Sequence, residues 1–345
     1  MKILVVGDSY MTPGHFRHAF SRLEADHVVE YAQIDGGRTS VAQSASERLI
    51  REYEGSPAEL VERLAGFEVL VVHGAPVTDE VLASDTLRLV CCARGGPVNV
   101  DLEAASARGI PIVATPGKNA AAVADQTLAF LIMLARRFPK AQRFLLDGGR
   151  IGSSAFEGAE FFGHDLQGHV LGLVGYGHVG RQVAARAAAF GMSIVIYDPY
   201  VEVDPGEPIE CVSTLEDLLR RADFVSLHVR ADPENENLFG AKEFATMRPG
   251  AFFINTARES LVDEKALADA LASDRLGGAA LDVTRPCPER PHPLLQYENV
   301  VMTPHIGGAT YETLHRGAQM VADEILRFSV GEPLLHVANA AGVGA

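Results

Sequence analysis

The sequence predicts an α/β protein of two domains, each built around a parallel sheet. Its 345 residues exceed the length that a single hydrophobic core usually organises. Short apolar runs of strand length alternate with amphipathic stretches of helical length along nearly the whole chain. This alternation is typical of parallel sheets, because two parallel strands must be joined by a crossover segment that is usually a helix.

The first series of predicted strands lies in the N-terminal third of the chain. Residues 57–64 show helical periodicity between two of these strands. Residues 35–56 interrupt the alternation with glycines, serines and arginines, so they predict a surface excursion that is partly helical. The strands themselves are predicted at 2–6, 28–34, 69–72, 87–92 and 110–113.

A second series of strands follows a turn-forming cluster, Thr115-Pro116-Gly117, which is suited to a crossover between domains. The long amphipathic stretch 119–137 then predicts a helix. Further strands are predicted at 170–174, 193–197, 224–227, 251–255, 278–281 and 300–303. Six such strands suggest the complete sheet of a dinucleotide-binding domain.

The domain boundaries follow from this order of elements. A last helix is predicted over 311–328, with the length and the apolar face needed to pack back on the first domain. The first domain is therefore predicted as 1–118 with 311–345. The second domain, 119–310, is inserted between these two pieces.

Composition excludes several classes of function. The formal net charge of −15 argues against nucleic-acid binding, which draws affinity from cationic side chains. The most lipid-like stretch, 120–134, contains Asp125 and is too short to span a bilayer, so no membrane role is expected. The N-terminus lacks a signal-peptide pattern, and the four cysteines lack the spacing of metal ligands. We expect a cytoplasmic protein with reduced thiols and no metal site.

A glycine-rich turn follows the predicted strand 170–174 and precedes an alanine-rich helix. Gly175 allows the tight turn, Gly177 lets backbone amides approach a pyrophosphate, and Gly180 permits close packing of the helix on the strand. Asp198 ends the next strand, near the expected distance of about 20 residues. Its carboxylate can accept hydrogen bonds from ribose hydroxyls and would repel a 2′-phosphate. The pattern therefore predicts a Rossmann-type site for NAD rather than NADP.

Two further side chains have the chemistry that reduction of a 2-oxo acid requires, namely a cation for the acid and a proton donor. Arg258 follows the predicted strand 251–255, and His305 follows the strand 300–303. Taken singly, such an arginine is often a surface charge and a lone histidine is more often structural. Both, however, are predicted at the same edge of the sheet.

The segments 174–181, 247–264, 280–283 and 303–309 together make the chain resemble the D-isomer-specific 2-hydroxyacid dehydrogenases, the phosphoglycerate dehydrogenase-like group. The resemblance covers nearly the whole chain. It implies a flavodoxin-like substrate domain with an inserted Rossmann domain, hydride transfer between nicotinamide and C2 of a D-2-hydroxy acid, and a homodimer.

The resemblance also implies roles for individual residues. Arg258 would bind the substrate carboxylate and carbonyl, His305 would be the general acid/base, and Asp282 would lie near the nicotinamide amide and ribose. The residues implied to line the dinucleotide are Gly175, Gly177, His178, Val179, Gly180, Asp198, Val229, Thr256, Ala257, Asp282, His305, Gly307 and Gly308.

The segment Arg94-Gly95-Gly96 resembles the family's loop whose backbone amides hold the substrate carboxylate. Arg94 is unusual at its position, where it would either meet a second anion or point to solvent. Together with the arginines of 35–56 it hints at a phosphorylated or polyhydroxylated acid. Glu259 replaces a customary glycine, which alters the expected shape of the pocket.

The main departure from the family lies five residues after Asp282, where a carboxylate usually hydrogen-bonds the catalytic histidine and where this chain has Cys287. A thiol is a weak hydrogen-bond partner for imidazole. Three hypotheses follow: a slow dehydrogenase without the helper, one that recruits Glu289, or a chain that binds NAD(H) without turnover. The last of these would be an NAD(H)-responsive binding protein that recruits a partner.

Overall fold

A computed structural model describes residues 1–34, 44–150, 155–201 and 208–339. The chain divides into two compact units, Met1–Lys118 with Ala309–Ala345, and Asn119–Gly308. The second crossing between the units therefore falls just before the one predicted after residue 310. Both units contain a parallel sheet flanked by helices, so the predicted α/β architecture is confirmed.

The first unit is built on a five-stranded parallel sheet of order β2-β1-β3-β4-β5. Its strands are β1 (Lys2–Gly7), β2 (Val28–Gln33), β3 (Val69–Val72), β4 (Leu89–Cys92) and β5 (Ile112–Val113). Its helices are α1 (Gly14–Phe20), α2 (Pro57–Arg63), α3 (Asp79–Leu82), α4 (Leu102–Ala107) and the C-terminal helix α11 (Tyr311–Val330). Strands β3 and β4 are apolar and buried along their whole length, because helices cover both faces of the sheet.

Helix α11 returns to this sheet after the second unit. Thr310 caps its N-terminus by accepting a hydrogen bond from the Thr313 amide. Its buried face, which includes Ala318, Val321 and Ile325, packs with α1 into the same core as the residues of β1 and β3. The helix thus completes one of the two apolar layers around the first sheet.

The second unit contains the larger sheet, of order β12-β11-β10-β9-β6-β7-β8, with all strands parallel. Its strands are β6 (Val170–Val174), β7 (Ser193–Tyr197), β8 (Ile209–Cys211), β9 (Phe224–Leu227), β10 (Ala251–Asn255), β11 (Leu276–Leu281) and β12 (Val300–Met302). Its helices are α5 (Ala120–Ala135), α6 (Phe138–Leu146), α7 (His178–Ala189), α8 (Leu215–Arg221), α9 (Ala241–Thr246) and α10 (Glu264–Ala272). The strand order reverses between β6 and β9, which is where a Rossmann sheet binds its ligand.

Strand β8 was missed by the sequence analysis, which predicted six strands here. It has three residues, lies at the sheet edge beside β7, and includes the exposed residues Glu210 and Cys211. Such a strand has no continuous apolar run, so hydrophobic periodicity does not reveal it.

The predicted excursion at 35–56 is only partly described, because residues 35–43 lie outside the described ranges. The remainder contains a short 3-10 helix, Ser46–Leu49. Ile50 and Tyr53 are buried, which corrects the expectation of a surface segment. The amide of Arg51 donates to the Val98 carbonyl, so this segment packs along a loop of its own unit.

No helix in the described parts of the chain combines the length and the apolar character that a membrane crossing needs.

Candidate active site

The predicted cofactor residues follow strands of the second sheet at the edge formed by their carboxyl ends. The glycine-rich turn follows β6, Asp198 follows β7, and Val229 follows β9. Three further loops, after β10, β11 and β12, contain Arg258, Asp282 and His305, respectively. Because all the strands are parallel, these segments share one edge of the sheet, as ligand-binding loops do in such folds.

The three glycines of the turn have different steric requirements. Gly175 has a φ of 97°, and a Cβ there would lie 2.7 Å from the backbone of His228. A Cβ on Gly180 would lie 2.4 Å from the carbonyl oxygen of Gly175. A Cβ on Gly177 would meet nothing within 4 Å, so this position leaves open space at the turn. The first and third glycines are required by packing, and the second leaves room for a ligand.

The turn leads directly into the N-terminus of α7. Among the described residues, the amides of Gly177, His178 and Val179 find no hydrogen-bond acceptor. Unpaired amides and the positive end of the helix dipole together favour a bound anion. The arrangement can therefore hold a phosphate group.

Asp198 lies next to this turn and fixes it. Its Oδ2 accepts a hydrogen bond of 2.8 Å from the Tyr176 amide, and its Oδ1 accepts one of 2.9 Å from the Tyr200 amide. Each carboxylate oxygen can accept a second hydrogen bond, so the group remains able to receive ribose hydroxyls. Val229 lies on the other side of the turn, with its Cγ1 2.9 Å from the position of a Gly175 Cβ.

The loop after β10 presents a cation. Asn255 anchors the loop by accepting from the Ala257 amide at 2.9 Å and donating to the Arg258 carbonyl at 2.8 Å. Thr256 is buried and its hydroxyl lies 3.2 Å from that of Thr127 on α5. Arg258 is exposed and donates to the Ala257 carbonyl at 2.7 Å, and no carboxylate of the described residues pairs with it. Its charge is available to an acidic ligand.

Asp282 is a buried carboxylate that organises the loop after β12. Its own backbone carbonyl accepts a hydrogen bond of 2.8 Å from the His305 amide. Its side chain accepts hydrogen bonds from Gln126 Nε2 at 2.9 Å, Thr303 Oγ1 at 2.6 Å, the Ile306 amide at 2.8 Å and the Gly307 amide at 2.7 Å. Because two of these donors are backbone amides of the His305 loop, the buried carboxylate holds that loop in place.

The two glycines after His305 allow this loop to close on its neighbours. A Cβ on Gly307 would lie 2.8 Å from the Asp282 carboxylate, and one on Gly308 would lie 3.0 Å from the side-chain amide of Asn119. His305 itself is exposed and has a φ of 56°, in the left-handed region that non-glycine residues seldom occupy. Local strain of this kind is often found at functional positions.

Cys287 and Glu289 do not assist His305 through a contact. Neither side chain forms a hydrogen bond or ion pair with any group in the described ranges, and the His305 ring has none either. Cys287 is half-buried and Glu289 is exposed. Among the described residues of the second unit, the support that His305 receives comes through its backbone and Asp282.

The Arg94-Gly95-Gly96 segment lies after β4 in the first unit. In the described part of the chain, the amides of Gly95 and Gly96 donate to no acceptor, and both residues are exposed. Arg94 forms an ion pair with the Glu52 carboxylate and donates to the Glu52 carbonyl at 2.8 Å. From the sequence, the Arg94 side chain could either bind a second anion or point to solvent. In the structure it pairs instead with Glu52, which belongs to the excursion 35–56.

Polar residues that the sequence analysis did not single out lie at the same sheet edge of the first unit. Asp8, after β1, is buried and its Oδ2 lies 2.9 Å from Nδ1 of His73, after β3. Burial alone would raise the pKa of Asp8, but hydrogen bonds from His73 and from backbone amides hold it below its ordinary value. Burial also lowers the pKa of His73, despite Asp8. No spacing rule relates these residues, which come from separate strands.

Comparison with known proteins places the chain in a family. Residues 128–307 match the NAD binding domain of D-isomer specific 2-hydroxyacid dehydrogenases. The D-3-phosphoglycerate dehydrogenase of Methanocaldococcus jannaschii is 37% identical over 285 residues, which are 81% of this chain and 53% of that protein. The chain thus spans about half the length of the curated relatives it matches.

Solved structures extend the likeness to both units. The TT0316 protein of Thermus thermophilus is 35% identical with a TM-score of 0.76, covering 98% of this chain and 100% of that one. The D-mandelate dehydrogenase of Rhodotorula graminis is 28% identical with a TM-score of 0.80, covering 98% and 97%. The chain belongs to the D-isomer specific 2-hydroxyacid dehydrogenases, and its second unit contains their NAD-binding domain.

Proposed function

We propose that the chain is an NAD-dependent oxidoreductase that transfers a hydride between nicotinamide and C2 of a D-2-hydroxy acid or 2-oxo acid. The observation that carries the proposal is the position of Arg258 and His305 at the sheet edge that bears the glycine turn. Arg258 has no carboxylate partner among the described residues, and His305 is exposed with a φ of 56°. A cation for the acid and a proton donor are the two groups that this reaction needs beside the cofactor.

NAD fits the residues of the second unit. The free amides of Gly177, His178 and Val179 suit its pyrophosphate, and Asp198 suits the adenosine ribose. Residues proposed to line the rest of the dinucleotide are Val229, Thr256, Ala257, Asp282, His305, Gly307 and Gly308. Because Asp282 already receives donors from its own unit, its proposed influence on the nicotinamide is joined to a role in holding the His305 loop.

In the proposed reduction, NAD in its reduced form supplies the hydride. Arg258 binds and orients the carboxylate and carbonyl of the 2-oxo acid, and the amides of Gly95 and Gly96 bind the carboxylate, as the family resemblance implies. His305 donates its proton to the carbonyl oxygen as the hydride reaches C2, which leaves a hydroxyl group and a neutral imidazole. In the oxidation, His305 accepts that proton.

His305 performs this step without a carboxylate of the described residues hydrogen-bonded to its ring. Cys287 occupies the position of the usual carboxylate, and Glu289 forms no hydrogen bond or ion pair with the imidazole. We therefore favour a dehydrogenase without the helper over one that recruits Glu289. The pairing of Arg94 with Glu52 removes one reason to expect a second anionic group on the substrate.

The test is steady-state oxidation of NADH with a panel of small 2-oxo acids. We expect turnover with at least one of them. Tight NADH binding without turnover on any member would contradict the proposal and favour the NAD(H)-responsive binding protein. The homodimer stays a prediction, which the sedimentation coefficient of the purified protein checks.

A further inference from the structure

Lys118 is a buried cation at the end of the first unit. Only 8% of its surface is exposed. Its side chain lies against Gly317 of α11, where a Cβ would come within 3.0 Å of the lysine Cδ and 3.5 Å of its Nζ. The glycine makes room for the ammonium group inside the fold.

The ammonium group has fewer partners than it has donors. Its Nζ donates to the carbonyl of Ala93, and among the described residues it has no other acceptor and no carboxylate within ion-pairing distance. An ammonium has three donor hydrogens. A buried charge without a direct counter-charge costs free energy, so its presence calls for an explanation outside packing.

The charged groups around Lys118 are already engaged. Asp8, Cys92 and Arg94 act electrostatically on Lys118, which in turn acts on His73. Asp8 accepts hydrogen bonds from His73 and from three backbone amides, and Arg94 is paired as described above. Burial raises the pKa of Cys92 to about 11, so its thiol stays neutral. None of these groups neutralises the ammonium by direct contact.

The ammonium contacts the backbone just before the Gly95–Gly96 loop. Ala93, whose carbonyl it contacts, comes two residues before the first of these glycines. The loop offers two free amides, which direct hydrogen bonds to an anion but bring no net charge. Lys118 adds a full positive charge next to these amides, on a side chain that is itself held in place by burial.

We propose that Lys118 is a specificity determinant for anionic substrates, whose charge selects a ligand with a carboxylate at the Gly95–Gly96 loop over an uncharged isostere. The proposal rests on the proposed function for the ligand class, a 2-oxo acid. Lys118 acts through its charge and does not touch the reacting atoms. Burial lowers the pKa of Lys118 to about 8, so in most molecules the Lys118 side chain is protonated at pH 7, as this role requires.

The experiment compares pyruvate with pyruvamide, its uncharged isostere, by calorimetric titration of the NAD⁺-saturated protein at pH 7. The oxidised cofactor prevents turnover. For Lys118→Met we expect the dissociation constant of pyruvate to rise about tenfold to hundredfold, the effect of one partly buried charge pair, and that of pyruvamide to stay unchanged. Lys2→Met, the same change at an exposed lysine of the same unit, should behave as the parent protein.

A structural role predicts a different result, because it weakens both ligands together. Lys118→Gln removes the charge but keeps a donor for the Ala93 carbonyl, and it replaces Lys118→Met should that variant not fold. Equal losses for pyruvate and pyruvamide, or a parent protein that does not distinguish them, would overturn the inference. If Lys118→Met turns over a 2-oxo acid and still prefers pyruvate to pyruvamide as the parent does, the inference about Lys118 is overturned and the proposed function stands. If the selectivity depends on Lys118 but no 2-oxo acid is turned over, the inference stands and the proposed function is overturned.

Discussion

Two loops with glycines present free amides in this molecule, and they are built in different ways. In the turn that follows β6, Gly175 and Gly180 are required because a Cβ at either would overlap neighbouring backbone. In the loop that follows β4, neither glycine has a positive φ, and a Cβ on Gly96 would meet nothing within 4 Å. The first loop is fixed by packing and the second is not.

The source of positive charge also differs between the two loops. The turn in the second unit receives it from the backbone, as the dipole of the twelve-residue helix α7. The Gly95–Gly96 loop is followed by the six-residue helix α4, whose first turn is capped by Asp101, so its positive charge comes from the side chain of Lys118. The helix dipole does not depend on any one side chain, whereas a site charged by one side chain can gain or lose its charge through a single change.

Adding a methyl group to a glycine of each loop should give the largest difference between them, measured as the loss of NADH affinity. Gly180→Ala places a Cβ 2.4 Å from the Gly175 carbonyl, so the turn must shift. NADH binding requires the turn to return to its present shape, and an overpacking cost of about 1–3 kcal/mol for that return corresponds to a rise of roughly fivefold to 150-fold in the NADH dissociation constant. Fluorescence titration measures it. The matched Gly96→Ala should change NADH affinity by less than about threefold, and equal effects of both variants would remove the contrast.

A smaller effect is expected at Asp198, which makes the cofactor loop selective. Its carboxylate should repel the 2′-phosphate of NADPH, so the parent protein should bind NADH more tightly by roughly tenfold or more. In Asp198→Ala the ratio of the NADPH dissociation constant to that of NADH should move towards one. Both affinities should fall, because the Tyr176 amide loses its acceptor. A ratio that is unchanged by the substitution would show that Asp198 does not meet the ribose.

A separate effect, on stability and not on ligand affinity, is expected at the substrate loop. Lys118 has a pKa of about 8 in the folded chain against an ordinary 10.5. Between these values the unfolded chain binds more protons, so the free energy of unfolding should rise with pH through this window, by an amount on the order of a few kcal/mol at most. Urea unfolding at pH 7.5 and 10 should therefore show the parent gaining stability relative to Lys118→Met. If the free energy of unfolding changes equally with pH in the two proteins, Lys118 does not carry an unneutralised charge in the folded chain.

The sequence predicted most of the second unit because its information is local. Every strand from β6 to β12 except β8 was predicted from its apolar run, and the turn was predicted from the spacing of Gly175, Gly177 and Gly180. Strand β8 was missed since Glu210 and the exposed Cys211 break its apolar pattern. Steric needs and periodicity act over a few residues, and such patterns are visible in one sequence.

The first unit's polar edge was predicted less well because its contacts join distant segments. Arg94 and Glu52 pair across 42 positions of the chain. Lys118 follows a turn cluster as an ordinary surface lysine would, and it is buried because Gly317, on the last helix, packs beside it. The same difficulty arises in the second unit, where the link between Gln126 and Asp282 spans 156 positions. Burial and pairing of this kind depend on the assembled sheet, so no spacing rule contains them.

We expect His305 to move the proton although no carboxylate of the described residues hydrogen-bonds to its ring. Single-turnover oxidation of NADH with the best 2-oxo acid, for the parent and His305→Gln, tests it most directly because this rate excludes product release. We predict a fall on the order of 10²–10⁴ in rate, the usual contribution of general acid–base catalysis, with the NADH dissociation constant nearly unchanged. A rate in His305→Gln equal to that of the parent protein would contradict the account.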